Sequence, residues 1–263
     1  MRLLHEDLTF AVRGCIFDVH NQLKTGLDEE SYHLALERRL KKSNIEFQSK
    51  PSFILEHRGK LVHKFIPDLV VADRLILELK NIRTEFTTAN HLQILSYLKF
   101  SKKELGLLVN FGLLKAKIKR IPFFEKELIL FEDYSAIENL IHADDEAYFD
   151  VARTAILNIF HIHGLSYDYP IYQKLFQVEL AYLEIPFISS VLFPVEFDNQ
   201  LLRKVELKMP LIADKIFCLI TAGQPDLLVQ KATMRNYLTK MNIPIGLIAN
   251  FGKDKLEIIG ISQ

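Results

Sequence analysis

Asp68-Leu69-Val70-Val71-Ala72-Asp73-Arg74-Leu75-Ile76-Leu77-Glu78-Leu79-Lys80 sets two apolar arms around the polar pair Asp73-Arg74, the pattern of a tight hairpin between short buried strands. If the hairpin is centred near Asp73, Asp68 and Glu78 lie at equal distances from the turn and face one another. Side chains directly opposed on antiparallel strands have Cβ atoms about 4.5–5.5 Å apart, so two carboxylates placed this way repel. Alternation along the strand points Glu78 and Lys80 to one face, and three charges converge beside an apolar sheet. A divalent cation turns that repulsion into coordination, because carboxylate oxygens are the usual ligands of Mg²⁺. A lysine beside the cation positions or deprotonates a water. Without a cation, the same residues reduce to an ion pair at a strand end, which contributes little stability.

Further motifs flank the hairpin in order. Gly26-Leu27-Asp28-Glu29-Glu30-Ser31-Tyr32 runs into His33-Leu34-Ala35-Leu36, and Pro67 stands directly before Asp68. Gln93-Ile94-Leu95-Ser96-Tyr97-Leu98 and Gly106-Leu107-Leu108-Val109-Asn110-Phe111-Gly112 follow. With these motifs, the stretch from Asp7 to Pro122 resembles the bacterial GxxExxY family of the PD-(D/E)XK nuclease superfamily. The superfamily core stands here as Pro67-Asp68 and Glu78-Leu79-Lys80. The resemblance implies an α/β fold with a mixed sheet flanked by helices, and hydrolysis of phosphodiester bonds that leaves a 5′-phosphate. It implies that Asp68 and Glu78, assisted by Glu29, hold Mg²⁺ or Mn²⁺ in its place, and that Lys80 orients the attacking water or stabilises the developing charge. Glu30 rivals Glu29, but Glu29 fits the spacing to Gly26 and Tyr32. A carboxylate there also suits a helix N-terminus on electrostatic grounds alone.

Composition bounds the function from outside. The chain has 263 residues, enough for one large or two small domains, with 33 basic and 33 acidic side chains balancing to zero net charge. No global field draws it to nucleic acid, so any binding groove comes from local clustering. Cys15 and Cys218 lie far apart in apolar sequence, which points to buried thiols in a reducing compartment. No zinc motif is present. The first residues, Met1-Arg2-Leu3-Leu4-His5-Glu6-Asp7, are too polar for a signal peptide, and no apolar stretch reaches the length of a membrane span. A cytoplasmic protein without a membrane partner is expected.

The chain repeats itself. Gly106-Leu107-Leu108-Val109-Asn110-Phe111-Gly112 returns 140 residues later as Gly246-Leu247-Ile248-Ala249-Asn250-Phe251-Gly252. Tyr97-Leu98 matches Tyr237-Leu238, Ile45-Glu46-Phe47 matches Ile185-Pro186-Phe187, Tyr32 matches Tyr172, and Ala72-Asp73 matches Ala213-Asp214 with one residue slipped. Two tandem PD-(D/E)XK-like domains are therefore expected, at 1–125 and 126–263. Their join falls in the acidic segment around Glu125 to Glu146, which includes His142-Ala143-Asp144-Asp145-Glu146. The second copy keeps packing residues and loses charges: Asp68 meets Met209, Glu78 meets Leu219, Lys80 meets Thr221 and Gln93 meets Thr233. Gly164 to Tyr172, matched to the GxxExxY segment, has two extra residues and no glutamate. This half reads as a catalytically dead copy with a structural task, such as replacing the second subunit of a homodimer or shaping a substrate groove.

Each copy reads as a mixed α/β unit. In the first, helices over Leu8 to Leu23 and Glu29 to Ser43 are joined at Gly26, followed by a hairpin turning at Arg58-Gly59, the charged hairpin, a helix from about Thr87 to Phe100, and strands at Leu105 to Asn110 and Lys117 to Ile121. Gln93 and Tyr97 share one helix face. Tyr97 recurs as Tyr237 and reads as a packing residue, whereas Gln93 is lost in the second copy and is assigned to orient substrate or a nearby water. Alternation puts Lys115, Lys117 and Lys119 on one strand face, where they can follow phosphates or merely blunt an edge strand. His20, His91, His161 and His163 receive no role.

The function expected is a metal-dependent nuclease acting on nucleic acid, with DNA as the preferred substrate. A non-catalytic assembly subunit that binds nucleic acid or protein, and a purely structural salt-bridged hairpin, are the competing readings. A protein partner or further self-association is left open.

Overall fold

In the computed structural model, residues 4–125, 127–223 and 226–263 are described, without the side chains of 143–145. The chain divides into two compact units, Met1–Leu55 with His63–Glu125, and Glu56–Val62 with Lys126–Gln263.

In the first unit, α1 (Glu6–Leu23) and α2 (Glu29–Lys42) precede β1 (Phe47–Ser49), and the hairpin of β2 (Phe53–His57) and β3 (Lys60–Phe65) follows. Then come β4 (Leu69–Val71), β5 (Leu75–Lys80), α3 (Thr88–Ser101), β6 (Leu105–Asn110) and β7 (Lys117–Pro122). Helix α2 starts where the Asp28 side chain accepts the Ser31 N–H at 2.7 Å, and carries acidic residues in its first turn and basic ones in its last. Helix α3 opens on a capping box between Thr87 and Asn90. The sheet runs β1-β4-β5-β6-β7, parallel only between β5 and β6, which α3 connects. A parallel pair needs such a crossover. Its α1–α2 face buries Val12, Ile16, Tyr32, Leu36 and Leu40 against Leu69, Leu75, Leu77 and Leu107. On the other face α3 lies so close that a Cβ at Gly106 would stand 2.5 Å from Ile94 Cδ1. Glycine there is a packing requirement.

The second unit repeats this plan with one strand added. Its elements are β8 (Ile129–Asp133), a 3-10 turn (Glu138–Leu140), α4 (Ala143–His163), α5 (Tyr169–Tyr182), β9 (Phe187–Ile188), β10 (Val191–Phe197) and β11 (Gln200–Leu207). They are followed by β12 (Leu211–Ile212), β13 (Ile216–Gly223), α6 (Leu227–Met241), β14 (Ile245–Gly252) and β15 (Lys255–Ser262). The sheet order is β8-β15-β14-β13-β12-β9, again parallel where the helix crosses, between β13 and β14. Strand β8 also pairs parallel, with β15. The acidic join is therefore not a bare connection, since it supplies a strand to the second sheet.

The repeat is visible atom by atom. Tyr32 donates its hydroxyl to Lys24 O at 2.7 Å and stacks on Phe111 at 4.7 Å; Tyr172 donates to Gly164 O at 2.7 Å and stacks on Phe251 at 3.9 Å. Gly246 repeats the close approach of Gly106, with Met234 Cγ 2.7 Å from its would-be Cβ. These pairs correct one sequence expectation. Gly164 corresponds to Lys24, both capping a helix at positive φ, and Ser166 at φ 80° corresponds to Gly26 at φ 111°. The second copy thus has no insertion at this motif. The one-residue slip arises later, between the turns Arg58-Gly59/Asp198-Asn199 and Ala72-Asp73/Ala213-Asp214. A bulge lies in that interval, because Val195 pairs with Arg203 while Glu196 pairs with Leu201.

Both cysteines are buried and free. Among the described residues no helix is long and apolar enough to cross a membrane.

Candidate active site

The β4–β5 turn is built on Ala72 and Asp73, both at positive φ (49° and 53°), and Lys103 holds it by donating to the Asp73 carbonyl and carboxylate at 2.8 Å each. The ladder pairs Val71 with Leu75 and Leu69 with Leu77, a register that carries Asp68 opposite Glu78. Asp68 accepts the Leu79 N–H through Oδ2 at 2.7 Å. Glu78 is 3% exposed; its Oε1 accepts from Lys80 Nζ at 2.7 Å, and its Oε2 is buried with no hydrogen-bond partner. Burial first, and the neighbouring Asp68 second, push the Glu78 carboxyl up to about 7 against the pull of Lys80. An unsatisfied carboxylate oxygen in such a place is costly and calls for a partner.

Glu29 reaches the same site from the first turn of α2, where Oε2 accepts the Asn81 N–H at 3.1 Å. Burial raises its carboxyl above the ordinary range, Lys80 lowers it and Asp68 raises it, so these charges sense one another. Its rival Glu30 instead pairs with exposed Lys50 at 2.6 Å. Gln93 donates to the Tyr97 hydroxyl at 2.9 Å. Tyr97 is buried, and burial followed by the Glu78 charge pushes its phenol up to about 12. Tyr97 is thus a buried residue that also senses the charges of the site.

His33 escaped assignment from sequence. Its Nδ1 stands 3.8 Å from Asp68 Oδ1, and its Nε2 lies 2.9 Å from Glu37 Oε1 and 3.0 Å from Ser49 Oγ. Asp68 raises the imidazole above its ordinary range, burial opposes and Glu37 adds to the rise. The available signal was spacing, because His33 follows Glu29 by one helical turn on the same face of α2.

The basic residues divide. Register aligns Glu78 with Leu108 and Lys119, and Lys80 with Asn110 and Lys117, so both lysines share the sheet face of the charged pair, two strands away on edge strand β7. That is about 10 Å, at 4.7–4.9 Å per strand. Lys119 is exposed, and Lys117 pairs with Glu85. Lys115 lies in the bend before β7 and not on it, because the turn after Gly112 delays the strand. The expected three-lysine stripe is thus two lysines on the strand and one ahead of it. Beneath them, Asn110 is fully buried and fixes the loop after β5, donating to Ile82 O at 2.9 Å and accepting from Ile82 N at 3.1 Å.

Among the described residues, no three His, Cys, Asp or Glu side chains are already gathered closely enough to hold a metal ion. Asp68, Glu78 and Glu29 each spend one oxygen on a donor of the chain itself. Their chemistry nevertheless fits a hard divalent cation: the three carboxylates sense one another's charge, and the orphan Glu78 Oε2 has a coordination position to give.

The same place in the second unit has lost the charges of the first. Leu75 pairs with Leu105 in one sheet and Ile216 with Ile245 in the other, which sets Leu219 where Glu78 stands and Thr221 where Lys80 stands. A cavity of about 340 Å³ opens there, lined by Met209, Leu219, Thr233, Met234 and Tyr237 among others.

Comparison with solved structures finds the protein SSO0001, at 16% identity with a TM-score of 0.29 over 59% of this chain and 94% of that one, too remote to inform the site. Comparison with curated proteins finds no relative. The profile of the PD-(D/E)XK nuclease superfamily matches twice, over residues 6–121 and 146–260. Two copies of one sheet-and-helix plan, each matched along nearly its whole length, establish that the chain belongs to the PD-(D/E)XK nuclease superfamily.

Proposed function

We propose that the protein is a metal-dependent nuclease of the GxxExxY type, with DNA as its preferred substrate, a live domain at 1–125 and a catalytically dead copy at 126–263. The observation that carries this is the buried Glu78 carboxylate, unsatisfied at Oε2, beside Asp68, Lys80 and Glu29. A structural ion pair would be expected to satisfy both oxygens or lie in solvent. Asp68, Glu78 and Glu29 would hold Mg²⁺, or Mn²⁺ in its place. Such a cation, when bound, polarises a phosphate and lowers the pKa of a water.

The remaining steps belong to the chain's own residues. Lys80, with one of its three N–H donors on Glu78, keeps the others for the attacking water or the developing charge on phosphate. Water oxygen bonds to phosphorus, the bond to the 3′ oxygen breaks, and a 5′-phosphate remains. Gln93 and Tyr97 orient substrate or water from α3. Lys117 and Lys119, with Lys115 ahead of the strand, follow the phosphate backbone.

The test is incubation of single-stranded DNA, double-stranded DNA and RNA with the protein in Mg²⁺, Mn²⁺ or chelator. Metal-dependent cutting, fastest on DNA, is the expected result. Raised thermal stability with metal but no cutting of any substrate would transfer the chain to the class of non-catalytic binding subunits.

A further inference from the structure

The tip of the β2–β3 hairpin shows what kind of surface such an arm docks on. Residues 56–62 belong to the second unit. There Arg58 donates Nε and Nη2 to the two oxygens of Glu179 at 2.8 Å each, and its guanidinium lies 4.3 Å from the ring centroid of Tyr182. His57 Nε2 stands 2.6 Å from Glu179 Oε2, and its Nδ1 is 2.9 Å from Nε2 of His163. Asn158 completes the shell at 2.7 Å.

The β10–β11 hairpin is the same arm in the second copy. Its turn, Asp198-Asn199 at φ 50° and 57°, follows Arg58-Gly59 at φ 50° and 71° by the repeat offset. This arm is bare: Phe197 is 67% exposed, Leu202 64% and Leu201 53%. Among the described residues the exposed Asp198 carboxylate has no ion pair.

The matching surface on the first copy has changed in step with the arm. Helices α2 and α5 correspond residue for residue, so Arg39 stands where α5 has Glu179 and Lys42 where it has Tyr182; Leu23 ends α1 where α4 has His163. On the arm, Phe197 replaces His57 and Asp198 replaces Arg58. At the matching positions, the cation that sits on a carboxylate and an aromatic ring is replaced by an anion on the arm and two cations on the helix, and the imidazole pair by a phenyl and a leucine. The substitutions on arm and helix thus leave opposite charges at the matching positions. Arg39 is also held ready. Asp18, in the place of Asn158, accepts from its Nε and Nη2 at 2.8 and 2.6 Å, and Ser43 accepts from Nη1 at 2.7 Å. Of the five guanidinium N–H groups, the two left over suit an incoming carboxylate.

We propose that the β10–β11 arm of one chain docks on the α1–α2 surface of a second copy, with Asp198 on Arg39 and Lys42 and with Phe197 beside Leu23. Each copy gives an arm and receives one, and a two-fold exchange of arms satisfies both contacts within a dimer.

Sedimentation velocity over a wide concentration range tests this on the full chain. The wild type is expected to dimerise as concentration rises. Asp198→Arg and Arg39→Asp each place like charges together and should weaken self-association on the order of 100-fold. An equal mixture of the two variants restores opposite charges at both contacts and should dimerise like wild type. Phe197→Ser, on an exposed turn that does not threaten folding, should also weaken the dimer. A wild type that stays monomeric throughout, or a folded Asp198→Arg variant that associates unchanged, overturns the proposal.

Discussion

Both units bury a carboxylate, and they treat it in opposite ways. Glu179 in the second unit is fully buried but receives Arg58 twice, His57 and Asn158; burial alone would raise its carboxyl, and these donors instead bring it down to about 2. Glu78 in the first unit is as deeply buried, yet it has one lysine and an orphan oxygen, and is pushed up to about 7. The first arrangement is what a charge needs in order to stabilise a fold. The second leaves an oxygen without a partner at a cost in stability, as functional sites do. Where the second unit repeats the Glu78 position it uses Leu219 and the tension is gone, although Tyr172, Phe251 and Gly246 repeat the packing of Tyr32, Phe111 and Gly106. Packing is needed twice and the charges once.

The largest effect on stability is expected at the satisfied carboxylate. Glu179→Gln leaves Arg58 and His57 facing a neutral amide and should cost about 3–5 kcal/mol at neutral pH. Because the folded pKa of Glu179 lies below its unfolded value, its contribution is complete above about 4.5 and fades as pH falls toward about 2. Denaturant melts from pH 7 to 3 should show wild type and variant converging in acid, whereas a gap that stays constant with pH would remove the charge from the explanation.

Glu78→Leu copies the second unit into the first. It should abolish cleavage while raising stability by about 1–4 kcal/mol, as replacement of imperfectly compensated buried charge often does. The Glu78 carboxyl titrates higher in the folded state, so it favours folding only while protonated, and that benefit is lost as pH rises from about 4.5 through about 7. The gain of the variant should therefore grow across that interval. A variant less stable than wild type at pH 8 would show that Glu78 serves the fold. Glycine to alanine at Gly106 or at Gly246 should cost about 1–3 kcal/mol in either unit by overpacking against Ile94 or Met234. Markedly unequal losses, read by thermal melts, would mean that the two copies do not share this contact. The smallest expected change is at Lys119→Ala, which should weaken nucleic-acid binding alike for all sequences and reduce the salt slope by about 1.

Much of this was legible because the packing grammar is local. Hydrophobic period and the polar turns at Arg58-Gly59 and Asp73-Arg74 mark the elements to within a few residues, although the second turn is built one residue earlier, on Ala72-Asp73, and the repeat offset relates the two copies. Glycine identity misled at Gly164, because a helix cap at positive φ accepts Lys24 in one copy and Gly164 in the other, while the true partner of Gly26 is a serine at φ 80°. Strand β8 was hidden because a short stretch flanked by charges acquires strand structure only by pairing with β15, distant in sequence. His33 and Tyr97 were legible as helix residues but not as neighbours of Asp68 and Glu78, since that proximity comes from how α2 and α3 meet the sheet. The docking of the β2–β3 tip on Glu179 joins residues more than a hundred apart and leaves no periodic trace.

The most direct measurement compares Asp68→Ala with Thr221→Ala for cleavage of DNA in Mg²⁺ or Mn²⁺, with folding verified for both. The predicted result is a loss of about 1,000-fold for Asp68→Ala, in the range of losing a group that stabilises developing charge, and unchanged cutting for Thr221→Ala. Equal cutting by Asp68→Ala and wild type would contradict a live site in the first copy.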